Sequence, residues 1–126
     1  MTVIVPPKVR AEVFAKDPEV IKNTFSTLQI KHPKKKLDLK LGEGETEAIS
    51  LCLEDGISDF LSDDKRARSV AKMLKLNRIG TLGILLWNVK KGFIKKSECR
   101  ELVDQLVRNN YFISTELYSK VVELLN

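Results

Sequence analysis

Apolar residues recur along the 126-residue chain at two spacings, and the alternation between those spacings predicts the fold class. Val3, Ile4 and Val5 form a β-branched run that stops at Pro6 and Pro7, which predicts a short buried strand passing into a helix with proline in its first turn. That helix is expected over residues 7–15. Asp17-Pro18 opens a second short helix to about Phe25, Leu28-Gln29-Ile30 reads as a minor strand, and HPKKKLDLK reads as a linker. From Gly42 onward the pattern becomes regular. A helix is expected over 44–55, a strand over 57–62, a helix over 64–75, a strand over 78–81 and a helix over 82–91. Strands alternating with helices predict a parallel sheet covered by helices. Gly56 and Gly92 stand where C′ glycines end helices, and Thr81 is expected to cap the helix that starts at Leu82. The remainder, 95–126, predicts two further helices broken at Asn109-Asn110, with Ser114 capping the last one.

Composition narrows the class without deciding the function. A hydrophobic content of 43% suits one ordinary core, so a single domain over 1–126 is expected. Lys and Arg number 22 against 17 acidic residues, giving +5, a balance that tolerates a polyanionic partner without demanding one. No run approaches the roughly 18 apolar residues of a membrane-spanning helix. The opening MTVIVPPKVR lacks a signal-peptide layout, so a cytoplasmic protein with reduced thiols and no membrane partner is expected. Cys52 and Cys99 lie far apart inside apolar helical patterns, and His32 is the single histidine. These residues argue against a zinc site and against any Ser/His/Asp or Cys/His nucleophile. Trp87, in ILLWNV, reads as core or interface; Lys34, Lys35 and Lys36 read as a solvated loop before they read as a phosphate contact.

Two acidic stretches carry the candidate chemistry. In LGEGETEAISLC, Glu45, Ala48, Ile49 and Cys52 follow i, i+3, i+4, i+7 spacing, which places Glu45 on the core-facing stripe, while Glu43 and Glu47 point elsewhere. An inward carboxylate near the end of a sheet is costly unless a cation or a proton meets it, so a metal ligand is one reading. The other is that first-turn acids favour the helix macrodipole. In FLSDDKRAR, a β-rich run ends in Ser62, Asp63 and Asp64, at the carboxyl end of an expected parallel strand, where open α/β sheets bind ligands. One aspartate there suits an N-cap, and two adjacent ones exceed what a cap needs. Lys65, Arg66 and Arg68 follow directly, placed either for RNA phosphates or for i, i+4 surface pairing.

The succession LGEGETEAISL, ISDFLSDDKRAR, RIGTLGILL, KKGFI and ISTELYSKVVELL resembles the PIN-domain superfamily, in its branch of short prokaryotic PIN-like proteins related to the VapC-type toxins. The likeness runs from about Val3 to the C-terminus. It implies a PIN-like three-layer α/β/α fold with a short parallel sheet, extra C-terminal helices and the family's N-terminal strand missing. It also implies a metal-dependent endoribonuclease, with Mg²⁺ or Mn²⁺ held by acids at the carboxyl edge of the sheet. Carried onto this sequence, the helix acid falls on Glu45 and the strand-end acid on Asp64 or Asp63. Hard cations take carboxylate oxygen and keep several waters, one of which can attack phosphorus.

Departures from the pattern bear on that reading. No acid among the first 11 residues replaces the strand-end aspartate with which relatives open, and Arg66 stands where some relatives carry a fourth acid. A parallel sheet without its central strand leaves unpaired edges, which a rearranged strand order, a second copy or a strand-donating partner would cover. The partners implied are RNA, an antitoxin-like protein and a second copy of the chain. The rival reading is a non-catalytic PIN-like remnant that serves as a protein- or RNA-interaction module.

Overall fold

The structure is a computed structural model and describes residues 3–16 and 29–126. It divides into two compact units, Met1–Ile79 and Gly80–Asn126. The first unit holds β1 (Ile4–Val5), α1 (Pro7–Lys16), β2 (Gln29–Ile30), α2 (Glu43–Asp55), β3 (Asp59–Leu61), α3 (Lys65–Met73) and β4 (Asn77–Ile79). The second holds α4 (Thr81–Lys90), α5 (Lys96–Arg108) and α6 (Thr115–Leu124). The chain is thus a mixed α/β protein with short parallel sheets and, among the described residues, six helices. The short helix expected to about Phe25, and Leu28 of the minor strand, lie outside the described residues.

The sheet differs from the expected one. Two separate parallel pairs form, β1 with β2 and β3 with β4, in place of one continuous sheet. Ile4 lies opposite Gln29 and Val5 opposite Ile30, with N–H of Gln29 donating to Val3 O at 3.1 Å and N–H of Lys31 to Val5 O at 3.1 Å. In the other pair Asp59, Phe60 and Leu61 face Asn77, Arg78 and Ile79, flanked by Asn77 N to Ser58 O at 2.8 Å and Ser62 N to Ile79 O at 3.0 Å. Parallel pairing follows from the β3–α3–β4 connection, since a strand that returns through a helix re-enters in the same direction. Each pair has a second edge on each strand that no strand covers among the described residues.

Local chemistry sets the boundaries. Gly56 ends α2 in the left-handed region at φ 66°, and its neighbour Ile57 donates its N–H to Cys52 O at 2.9 Å. That bond makes Ile57 part of the helix's closing turn, so the strand starts at Asp59 rather than at 57. The helix after β4 starts at Thr81 and its N-cap is Gly80, which corrects the expectation that Thr81 caps and Leu82 leads. Gly80 O accepts from Ile84 N at 3.1 Å, so the chain turns helical one residue sooner and β4 stops at Ile79. Ser114 caps α6 as expected, its Oγ accepting from Leu117 N at 3.1 Å.

Each unit buries its own core. Ile49 and Cys52 of α2, Phe60 of β3, Ala67 and Ala71 of α3 and Leu76 form the first. The alanines explain how α3 lies close: i, i+4 spacing puts two small residues on one face, and both are fully buried. In the second unit, Cys99 and Val103 of α5 meet Val121 of α6, with Leu82 and Leu125 beside them. Full burial of a side chain such as Ile49 or Val103 contributes about 1.5–3 kcal/mol. Both cysteines are free and buried. Trp87 is half-buried, its ring 5.9 Å from that of Phe93 and 5.8 Å from the Lys91 ammonium, so it lies at the margin of the core.

Candidate functional site

The end of β3 presents the aspartate pair. After Leu61 the Ser62 Oγ accepts the N–H of Asp64 at 3.0 Å, a tight turn that carries the chain from strand to helix. Asp64 is the N-cap of α3: its Oδ1 accepts from Ala67 N at 2.8 Å. One carboxylate oxygen is therefore spent on the orphan amides of the helix start, while Oδ2 lies outside that bond. Asp63, the residue before it, is exposed on the same strand end.

The cations that follow are held by backbone carbonyls. Arg68 Nη1 donates to Ser62 O at 2.9 Å, which brings a guanidinium back to the aspartate end of β3. Arg66 Nη2 reaches the linker at Lys40 O, 3.0 Å away, and Lys65 is exposed. The linker is itself tied down: the N–H groups of Lys34 and Lys35 converge on the Glu54 carboxylate at 2.8 and 3.4 Å, and Leu37 N donates to Ser50 Oγ at 3.1 Å.

The acids of α2 fall out differently from their spacing. Glu45 is half-exposed, and its carboxylate folds back over the N-cap Gly42, where a Cβ would lie 2.5 Å from Oε2. The acid that α2 buries is Glu47, 7% exposed, whose Oε2 accepts from Lys8 N at 3.2 Å and whose Oε1 lies 3.9 Å from His32 Nε2. The reason is that α2 is covered on two faces. Besides the stripe through Ile49 and Cys52, a second stripe through Gly44, Glu47 and Leu51 is buried, and α1 packs along α2. At Gly44 the helices come close enough that a Cβ would lie 2.7 Å from the Glu12 carboxylate. The signal was present in the sequence as i, i+3, i+7 spacing of Gly44, Glu47 and Leu51, with a glycine marking the close approach.

Around Glu47 the charges pair. The Lys8 ammonium sits 2.6 Å from Glu43, with Lys36 at 3.8 Å from the same carboxylate. The hydrogen bond from Lys8 holds the Glu43 carboxyl below the usual carboxylate range, and the same bond holds the Lys8 amine above its ordinary value. Both groups are exposed, so water screens the pair. Burial pushes the Cys52 and Cys99 thiols up; for Cys52 the Asp59 carboxylate adds to the effect. Neither thiol has the activated character of a nucleophile.

The donor types fit a hard divalent cation, but among the described residues no group of three or more His, Cys, Asp or Glu side chains is placed to hold one. Glu45 begins α2 and the aspartates end β3, two separate elements of the same unit.

An α/β chain with short parallel strands and acids at a strand end defines a class, and comparison with known families specifies it. The family model DUF3368, described as a PIN domain, matches residues 1–126, so the chain belongs to this PIN domain family. No curated protein and no solved structure matches it. No helix among the described residues is long and apolar enough to cross a membrane.

Proposed function

We propose that this PIN-domain chain is a metal-dependent ribonuclease of the toxin type, with Glu45 and Asp63 or Asp64 as ligands for Mg²⁺ or Mn²⁺. The single observation behind it is that family membership coincides with a pair of aspartates at the carboxyl end of a parallel strand, the place where α/β sheets take their ligands. Arg68, bound to Ser62 O at that end, together with Lys65 and Arg66, supplies positive charge for an RNA backbone. A bound hard cation would supply a polarised water and stabilise charge on the phosphate. The chain's own residues would hold it through carboxylate oxygen, Asp64 with the Oδ2 that its cap does not use. The reading needs another acid, from outside the described residues or from a second subunit. An antitoxin-like partner and a homo-oligomer in the cytoplasm belong to the same proposal.

A second reading has its own support. Because three ligand side chains are not gathered among the described residues, a non-catalytic PIN-like module that binds protein or RNA is the alternative. Calorimetric titration with Mg²⁺ and Mn²⁺, alongside cleavage of a labelled single-stranded RNA, separates the two. The nuclease reading expects saturable binding, and cleavage that falls at least about 100-fold in Glu45→Gln. If neither cation binds or supports cleavage and Glu45→Gln changes nothing, the module reading stands in its place.

A further inference from the structure

The two short sheets border one cavity. It has a volume of about 360 Å³, with residues 3–6 along one side and Asp59, Phe60 and Leu61 along the other, and Ala48 and Leu51 of α2 completing its wall. Every lining residue except Asp59 is apolar or a thiol, and the Asp59 carboxylate is engaged by Asn77 Nδ2 at 3.0 Å.

Pairing decides which peptide groups look into that space. Val3 and Val5 turn their carbonyls to β2, and alternate residues of a strand turn opposite ways, so the N–H and C=O of Ile4 point away from β2. On the other side, Ser58 and Ser62 bond to β4, so Asp59 and Leu61 point away from β4. The Asp59 carbonyl receives only a thiol, Cys52 Sγ at 3.7 Å, a weak donor in a place that suits a main-chain N–H. The cavity therefore has main-chain donors and acceptors at both margins and apolar side chains between them.

We propose that this cavity is a strand-acceptor groove, occupied by an extended apolar segment of a partner polypeptide that pairs through its backbone with β1 on one side and β3 on the other. The bordering residues set its length at three or four residues, at about 3.3 Å each. The apolar lining selects valine and isoleucine, which suit an extended segment buried on both faces. A small apolar molecule would cover the side chains and leave the peptide groups of Ile4, Asp59 and Leu61 without main-chain partners. A second copy is a poor occupant among the described strands. The strands it could offer are β2, with exposed Gln29, and β4, with exposed Asn77 and Arg78, and these polar side chains do not suit an apolar slot. The proposal stands apart from the nuclease reading, because backbone pairing needs no metal.

Amide hydrogen exchange on the ¹⁵N-labelled full chain tests it, with the acetylated, amidated peptide Lys-Val-Val-Ile-Val-Lys as the probe at millimolar concentration. The amides of Ile4, Asp59 and Leu61 should slow by at least about tenfold, while Phe60 and Ser62, already bonded to β4, change little. The same peptide N-methylated at alternate valines should lose the effect, since methylation removes the donors that pair one edge. Leu61→Pro removes an outward N–H while sparing the bonds to β4, and should weaken capture about tenfold. If that variant does not fold by circular dichroism, the methylated peptide decides. Equal binding of the methylated peptide would mean a plain apolar pocket and overturn the proposal. It is also overturned by absence of protection at peptide saturation, or by protection that rises with protein concentration alone as a dimer forms.

Discussion

The buried Glu47 carboxylate accepts the main-chain N–H of Lys8 at 3.2 Å, so an acid of α2 caps the first turn of α1 across 39 residues of sequence. Pro7 opens α1 without an N–H, and Lys8 is the next orphan donor; Glu47 satisfies it and places negative charge at the positive end of the helix dipole. Glu47→Ala should therefore cost about 0.5–2 kcal/mol, as loss of a cap does, and Glu47→Gln, which still offers an oxygen, clearly less. Urea midpoints of the two variants check this, and equal midpoints would dismiss the cap.

Asp64 has two separable tasks. Asp64→Ala should lower stability by about 1 kcal/mol through loss of the bond to Ala67 N, whereas Asp64→Asn keeps a capping oxygen and keeps the stability. As a proposed ligand the same Asn variant loses charge at the cation, so Mg²⁺ or Mn²⁺ affinity should drop while the urea midpoint holds. A midpoint that falls with Asn as far as with Ala would show that the cap needs the charge.

The two thiols give a pH dependence of known sign. Burial raises the Cys52 thiol above its ordinary 9.0, and the Asp59 carboxylate adds to the rise. A folded value above the unfolded one means that the fold favours the neutral thiol. That contribution is complete below the ordinary value and is lost as pH climbs from about 9 through the folded value. Stability should decline more steeply above that pH in the unaltered chain than in Cys52→Val. At pH near 8, iodoacetamide should label neither Cys52 nor Cys99 until denaturant is added, and rapid labelling of the native chain would contradict their burial.

Gly56 ends α2 at φ 66°, and nothing lies within 4 Å of where its Cβ would be, so substitution there reads backbone strain alone. Gly56→Ala should cost about 1–2 kcal/mol, with Asn milder than Ala. A thermal midpoint unchanged in Gly56→Ala would require the helix to end in another conformation.

These residues also show which parts of the fold the sequence made legible. Helix ends were readable where one residue's own chemistry decides them: Gly56 through its backbone freedom, and Ser114 through a hydroxyl that reaches Leu117 N. The order of strands and helices after Gly42 followed from hydrophobic period, because each element buries one stripe into a common core. What the period could not show depends on distant partners. Glu45 and Glu47 sit two residues apart, and which of them is buried is decided by α1 lying along α2, a contact that no local pattern encodes. The division into two sheets likewise depends on which edges find partners, and a strand of two or three residues carries no mark of that. Thr81 and Gly80 compete for one cap on equal local terms, and the β4 end settles it.

The grip of Glu54 on the amides of Lys34 and Lys35 affects how the lysine run meets other molecules. Coil that is pinned at its root carries its ammonium groups on a backbone already ordered. A polyanion docking on this side would not have to bear the ordering of those residues, about 1–2 kcal/mol each. Glu54 thus makes a run of loose positive charge into a fixed one, at the expense of part of its own negative charge's freedom to neutralise the run.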